Sequence, residues 1–263
     1  MKEVFTMWKH TKMVVLVALS AALYAALLIP FKAIPLIPGI TEVRPASALP
    51  VVFGILFGPA GAWGSAIGNL IGDLGGTLGL GSLFGFVGNF MFAYVPYKVW
   101  QNIGLIKKDD EPKLNSGKKI GTFALAGFLG SAACALIIGF GLEFLKMVPF
   151  AALGAIITAN NTIPAIVLGI PIMMALYPRV KKWDLLWTDI MPEEELPKGG
   201  ALARTGAIIM CLAIVIGLFG GFISAMSLGQ KLFNFEGSAG STPVIIIAGL
   251  GALFTFIGSF MQN

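Results

Sequence analysis

Apolar runs about as long as a bilayer is thick dominate this chain and decide its fold class. A spanning helix needs about 20 mainly apolar residues, and that window picks out 13–30, 59–79, 82–103, 120–146, 149–178, 201–228 and 242–262. An eighth stretch, Ala46–Phe57, is apolar but short, about 18 Å long as a helix. It reads either as a short span or as half of a re-entrant hairpin, and in both cases the turn Gly58-Pro59-Ala60-Gly61 sends the chain into the next helix. The expected fold is an all-α integral membrane protein, a polytopic helix bundle of about eight spans. Only 12% of the residues are charged, about half the share of a soluble domain, which leaves no room for a separate soluble domain or a nucleic-acid module.

The net charge of +5 is therefore read as topology. Lysine and arginine near the ends of spans collect on the cytoplasmic side. With the N-terminus inside, Lys2, Lys9, Lys12, Lys98, Lys107, Lys108, Lys113, Lys118, Lys119, Arg179, Lys181, Lys182, Lys198 and Arg204 all fall inside, fourteen of the eighteen basic residues. Lys32, Arg44, Lys146 and Lys231 are left outside. This places the chain in the cell membrane with a cytoplasmic N-terminus. The basic leader, apolar core and Ala18-Leu19-Ser20-Ala21 also resemble a secretory signal, but the apolar run continues to Ile29 and carries a packing pattern that a discarded peptide would not need.

That pattern is a ridge of small residues, Ala18, Ala22 and Ala26, with Ala21 and Ala25 beside it. Small residues at four-residue spacing let helices approach closely in lipid. The ridge serves either packing within the chain or docking of a partner helix. In the third span Gly64, Gly68, Gly72 and Gly76 form one ridge, and Ser65, Asn69, Asp73 and Thr77 a second, polar one about 100° around the helix. Asp73 is the one carboxylate well inside an apolar run, unless Gly75-Gly76 end the helix there. Ser82, Gly85 and Asn89 in the fourth span and Thr158, Asn160, Asn161 and Thr162 in the sixth add polar groups at comparable depth. Intramembrane polar groups are costly and mark cavities or interhelical contacts. Their common depth points to one outward-facing pocket containing Asn69, Asp73, Asn89, Asn160 and Asn161.

The outer loop FKAIPLIPGITEVRP, Phe31–Pro45, is too apolar to float in water and suits a lid, with Glu42 and Arg44 facing the pocket. Pro164 and Pro171 are expected to loosen the sixth span. Glu143 and Lys146, three residues apart, are expected to pair. Enzymatic chemistry is not visible. The single histidine, His10, lies in the leader; no HExxH, GxSxG or Walker pattern occurs; Glu193-Glu194-Glu195 reads as a solvated inner loop. Cys134 and Cys211 stand inside apolar runs without metal-ligand spacing and read as packing residues. No metal and no cofactor is expected.

The first 180 residues or so resemble the substrate-binding S components of energy-coupling factor (ECF) vitamin transporters. The resemblance rests on six spans with the N-terminus inside, the ridge Ala18, Ala22, Ala26, the long outer loop, and EVRPASALPVVFGILFGPAGAWGSAIGNLIGD at 42–73. It implies that the alanine ridge docks onto a membrane coupling subunit, that two ATPase subunits supply the energy, and that cargo sits in the outer half beneath the first loop. Residues 1–180 would form that core, 181–200 a cytoplasmic linker, and 201–263 two additional helices beyond the family's pattern. The cobalt and nickel members' His-led N-terminus is absent, which argues against a metal cargo. A pocket of Asn, Ser, Thr and one carboxylate, with Trp63 and Phe84 or Phe86 for stacking and Arg44 for an anionic group, suits a neutral or weakly basic heterocycle: a vitamin, a modified-nucleobase precursor such as those for queuosine, or a cobalamin precursor. Two other readings remain open at this point, a self-contained ion-coupled secondary transporter using Asp73 and a membrane scaffold without cargo.

Overall fold

Glycine at every fourth position of one helix decides how this bundle is assembled. In the computed structural model, which describes residues 1–37, 41–107 and 110–262, α4 (Pro59–Asp73) lays Gly64, Gly68 and Gly72 along α2 (Thr11–Leu28). A Cβ added at Gly68 would lie 2.8 Å from the Ala21 carbonyl oxygen and 3.0 Å from Tyr24 Cβ. The two backbones touch, and the dispersion contacts that hold helices together in lipid are available only because position 68 has no side chain. Of the stretches read from the sequence, 38–40 of the lid and Lys108 lie outside the described residues.

The chain starts with a short helix α1 (Lys2–Thr6), then α2. A two-stranded antiparallel hairpin follows, β1 (Pro35–Ile37) with β2 (Thr41–Glu42). Next come α3 (Ala48–Phe57), α4, α5 (Gly81–Asn102), α6 (Gly117–Phe144), α7 (Phe150–Val167), α8 (Gly169–Lys182), the single turn α9 (Trp187–Ile190), α10 (Ala201–Ser227) and α11 (Thr242–Phe260). Helices α2, α6, α7, α10 and α11 are long and apolar enough to cross a membrane. Their neighbours complete a bundle in which α2 packs on α4, α4 on α5, α5 on α6 and α6 on α7, with α10 and α11 paired against α6. The chain is an all-α, multi-pass membrane protein.

Several elements depart from the expected spans for identifiable reasons. The third span stops at Asp73, because Gly76 takes φ +140° and turns the chain. The sixth is divided at Leu168 into α7 and α8, just beyond Pro164. The short stretch at 46–57 becomes α3, all ten of whose residues are buried. A helix of about 15 Å is tolerated at membrane depth when protein surrounds it. The chain can reach the α3–α4 turn with so short a helix because the segment before it dips into the bundle. Asn160, eleven residues into α7 and about 15 Å from its start, holds the backbone of Glu42 and Arg44.

Polar ties fix both ends. At the end where α6 meets α7, Glu143 accepts hydrogen bonds from the amides of Phe150 (2.7 Å), Gly240 and Ser241 (2.9 Å each) and from Gln230 Nε2 (3.1 Å). A carboxylate thus serves the N-termini of α7 and α11 together, where helix dipoles favour negative charge. The expected pairing of Glu143 with Lys146 is corrected: among the described residues no ion pair joins them, the carboxyl being taken up by those amides while the Lys146 side chain lies along Gly240. At the opposite end Lys98 is fully buried on α5, its Nζ 2.7 Å from Glu3 Oε1 and 2.8 Å from the Gln262 carbonyl oxygen. Counted as a loop charge from the sequence, Lys98 is instead neutralised inside the bundle and joins the N-terminal helix to the C-terminal one. Nearby, Glu195 of the expected solvated run lies 2.9 Å from His10, and hydrogen bonds from His10 and Thr6 hold its carboxyl below the usual range.

Breaking one partner of a buried ion pair leaves a charge without compensation and costs about 3–5 kcal/mol. Lys98→Met or Glu3→Gln alone should therefore lower the unfolding temperature in detergent sharply. The double variant should recover most of the loss, as measured by intrinsic-fluorescence melting.

Candidate functional site

The polar ridge of α4 ends in a cavity of about 240 Å³. Asn69 and Asp73 are one turn apart on α4, so both point the same way; Asn69 is buried and Asp73 half-buried. The turn Thr77–Gly79 and the start of α5, with Ser82, Gly85 and Asn89, close one side. Ile138 and Leu142 of α6 and Leu153 and Ile157 of α7 form an aliphatic wall opposite. Arg44 enters from the loop.

The groups form a connected network. Arg44 Nη2 donates to Asn69 Oδ1 at 2.6 Å and to the Tyr24 hydroxyl at 3.3 Å. The Tyr24 hydroxyl donates to Asn89 Oδ1 at 2.8 Å, and Asn89 Nδ2 donates to the Gly85 carbonyl at 2.8 Å. Asn69 Nδ2 donates to Asp73 Oδ2 at 3.2 Å, and Thr77 Oγ1 donates to Asp73 Oδ1 at 3.0 Å. Glu42 is buried with Oε1 3.7 Å from Arg44 Nε. A guanidinium stays protonated at any accessible pH, and the carboxyl groups of Glu42, directly beside it, and Asp73, reached through Asn69, are its acidic neighbours. Arg44 Nε is buried and makes no hydrogen bond among the described residues; the Glu42 carboxyl is the charged group beside it.

The structure brings Arg44, Asn69, Asp73 and Asn89 together on the cavity, as the sequence spacing suggests. Glu42 stands behind Arg44 instead of lining the space. Asn160 and Asn161 also stand outside the lining. Asn160 accepts from the Arg44 amide at 3.3 Å and donates to the Glu42 carbonyl at 2.7 Å, while Asn161 Oδ1 accepts from Ser47 Oγ at 2.8 Å. Both hold the segment that carries Arg44.

Three expectations need correction. The loop is not a simple lid over the mouth: Ile34 and Leu36 are exposed, whereas Thr41 and Arg44 are buried and line the cavity, with Glu42 and Ser47 also buried but outside the lining. Trp63 does not stack near cargo. It lies ten residues before Asp73, about 15 Å along α4, where it packs against Trp8, Phe86 and Phe90 and donates to the Val4 carbonyl. Phe84 is turned towards Phe140 and Gly141. Among the described residues no aromatic side chain lines the cavity.

Sequence reasoning missed Tyr24, which is fully buried and bridges Arg44 to Asn89. Its signal was a phenol one turn after Ser20, on the face of α2 opposite the alanine ridge. That ridge is outside the bundle: Ala18, Ala22 and Ala26 are exposed, with Leu19, Leu23 and Leu27, while Ala21 and Ala25 are buried, Ala21 against Gly68 of α4.

If Asn160 anchors the Arg44 segment, Asn160→Ala removes two hydrogen bonds to backbone, each contributing about 1 kcal/mol. The amide of Arg44 should then exchange with deuterium about tenfold faster or more, with exchange in α10 and α11 unchanged.

The chain matches the family described as QueT transporter over residues 14–178. No curated protein and no solved structure matches it. The matched stretch runs from α2 to α8 and contains the whole cavity lining and the exposed alanine ridge; α10 and α11 lie beyond it. The chain belongs to the QueT transporter family, a family of small-molecule-binding S components of energy-coupling factor transporters.

Proposed function

We propose that this protein captures a modified-nucleobase precursor, such as a queuosine precursor, at the outer face of the cell membrane, and that a membrane coupling subunit and two ATPase subunits drive its release inside. The observation that carries the reading is the pairing of a small polar cavity with an exposed alanine ridge on the same helix pair. One wall of the cavity offers Arg44, Asn69, Asp73 and Asn89, and the other is aliphatic. A flat heterocycle fits such a space, its edge hydrogen-bonded and its face against Ile138, Leu142 and Leu153. A volume of about 240 Å³ is below the usual range for drug-sized ligands and suits one or two fused rings. The Asp73 carboxyl beside the amide groups of the lining suits a neutral or weakly basic molecule. Asn69, Asp73, Asn89 and Arg44 are its contacts in this reading, with Glu42, Asn160 and Asn161 holding Arg44 in place.

The distribution of lysine and arginine supports a cytoplasmic N-terminus, which puts the cavity outside. The ridge Ala18, Ala22, Ala26 is the docking face for the coupling subunit, since a smooth strip allows the close backbone approach that helix association in lipid requires. Residues 1–180 serve as the cargo-binding core and 181–200 as the linker to the two added helices.

Uptake of a radiolabelled queuosine-precursor nucleobase tests this in cells that also express the coupling and ATPase subunits. Ala22→Leu should abolish uptake while the purified variant binds the base within about twofold of the unsubstituted protein. Normal uptake in Ala22→Leu, or uptake that survives ATP depletion and collapses with an ionophore and in Asp73→Asn, would favour the ion-coupled carrier instead.

A further inference from the structure

We infer that Tyr24 is a positioning residue that ties the cargo cavity to the docking face of α2. This rests on the proposed function and goes beyond it by naming the side chain through which occupancy is felt at the partner surface. The argument is geometric. Tyr24 is fully buried, and its hydroxyl sits between two groups that line the cavity, donating to Asn89 Oδ1 at 2.8 Å and accepting from Arg44 Nη2 at 3.3 Å. Cargo that draws Asn89 Oδ1 or Arg44 Nη2 towards itself pulls on those same two contacts.

Tyr24 is also part of a rigid rod. Its Cβ stands against Gly68, and the Ala21 backbone is equally close, so α2 rides on α4 over glycine without interlocking side chains. Such a seam resists separation but offers little barrier to a small slide or rotation, of the 1–2 Å kind by which helices shift at interfaces. On the other side of the same rod, within one turn of Tyr24, are the exposed Ala22 and Ala26. A displacement of the Tyr24 hydroxyl therefore moves the alanine ridge. By linkage the coupling runs both ways, so docking of the partner alters the hold on cargo by the same factor. Helix α11 supplies a fixed reference, because Glu143 and Lys98 clamp its two ends to α6 and α5, and α10 packs along it and against α6.

The test is a spin-label distance measurement on the full chain in nanodiscs. Nitroxides go on Ala22→Cys and on Leu212→Cys, an exposed α10 position, in a Cys211→Ser background. Saturating queuosine-precursor nucleobase should shift the modal distance by about 1–2 Å. In Tyr24→Phe, which keeps the ring that packs on Gly68, the shift should vanish while the cargo-free distance stays the same and the base binds about tenfold more weakly. Asn89→Ala removes the same hydrogen bond from the other side and should also lose the shift. Full shifts in both variants, or no shift in the unsubstituted protein despite measured binding, would overturn the role of Tyr24 and leave the cargo reading intact. No binding of the base to the unsubstituted protein would overturn the cargo reading and this inference with it.

Discussion

The seam between α2 and α4 is the contact on which the other features depend. In lipid no hydrophobic effect drives helices together, because the tails are as apolar as leucine. Close backbone approach must do that work, and Gly64, Gly68 and Gly72 allow it. Once α4 claims the Ser20–Ala21–Tyr24–Leu28 face of α2, the Ala18–Ala22–Ala26 face can only be outside. The same rotation of α4 turns Asn69 and Asp73 inward, one residue around from the glycines, so the packing ridge and the polar ridge are one arrangement. Cavity and exposed alanine ridge are thereby opposite sides of a single helix pair.

The polar groups inside the bundle carry a cost that the structure meets by connecting them. Each of Arg44, Asn69, Asn89 and Tyr24 has at least one partner at 2.6–3.3 Å. A half-satisfied network would be worse than an apolar core, and Arg44 Nε, without a hydrogen bond among the described residues, has a carboxyl oxygen of Glu42 3.7 Å away. The two clamps at Glu143 and Lys98 follow the same logic away from the cavity. Each buries a charge fully, and each surrounds it with amides, carbonyls or an opposite charge drawn from segments remote in sequence.

Much of this was legible in the chain because it is periodic. Helices, their approximate ends, the two ridges of α4 and the placing of Asn69, Asp73 and Asn89 near one another follow from 3.6 residues per turn and 1.5 Å per residue. Arg44 was legible because a charge in an apolar loop needs company. What could not be read depends on contacts between distant segments. Lys98 looked like a loop cation until Glu3 and Gln262 came to meet it, and Glu143 looked like a partner for Lys146 until the amides at 240 and 241 did. Asn160 and Asn161 had the right depth, but depth alone does not tell which way an asparagine faces. Trp63 was placed near cargo on composition, although its position ten residues before Asp73 already put it at the other end of α4.

The central claim is that one face of α2 serves the cavity and the other a partner in the membrane. A photo-crosslinking amino acid at Ala22, with one at the buried Ala25 as a control, tests it most directly in cells carrying the coupling and ATPase subunits. The account predicts that position 22 crosslinks to the coupling subunit and position 25 only within the chain. Crosslinks from position 22 to lipid alone, with those subunits present, would contradict it.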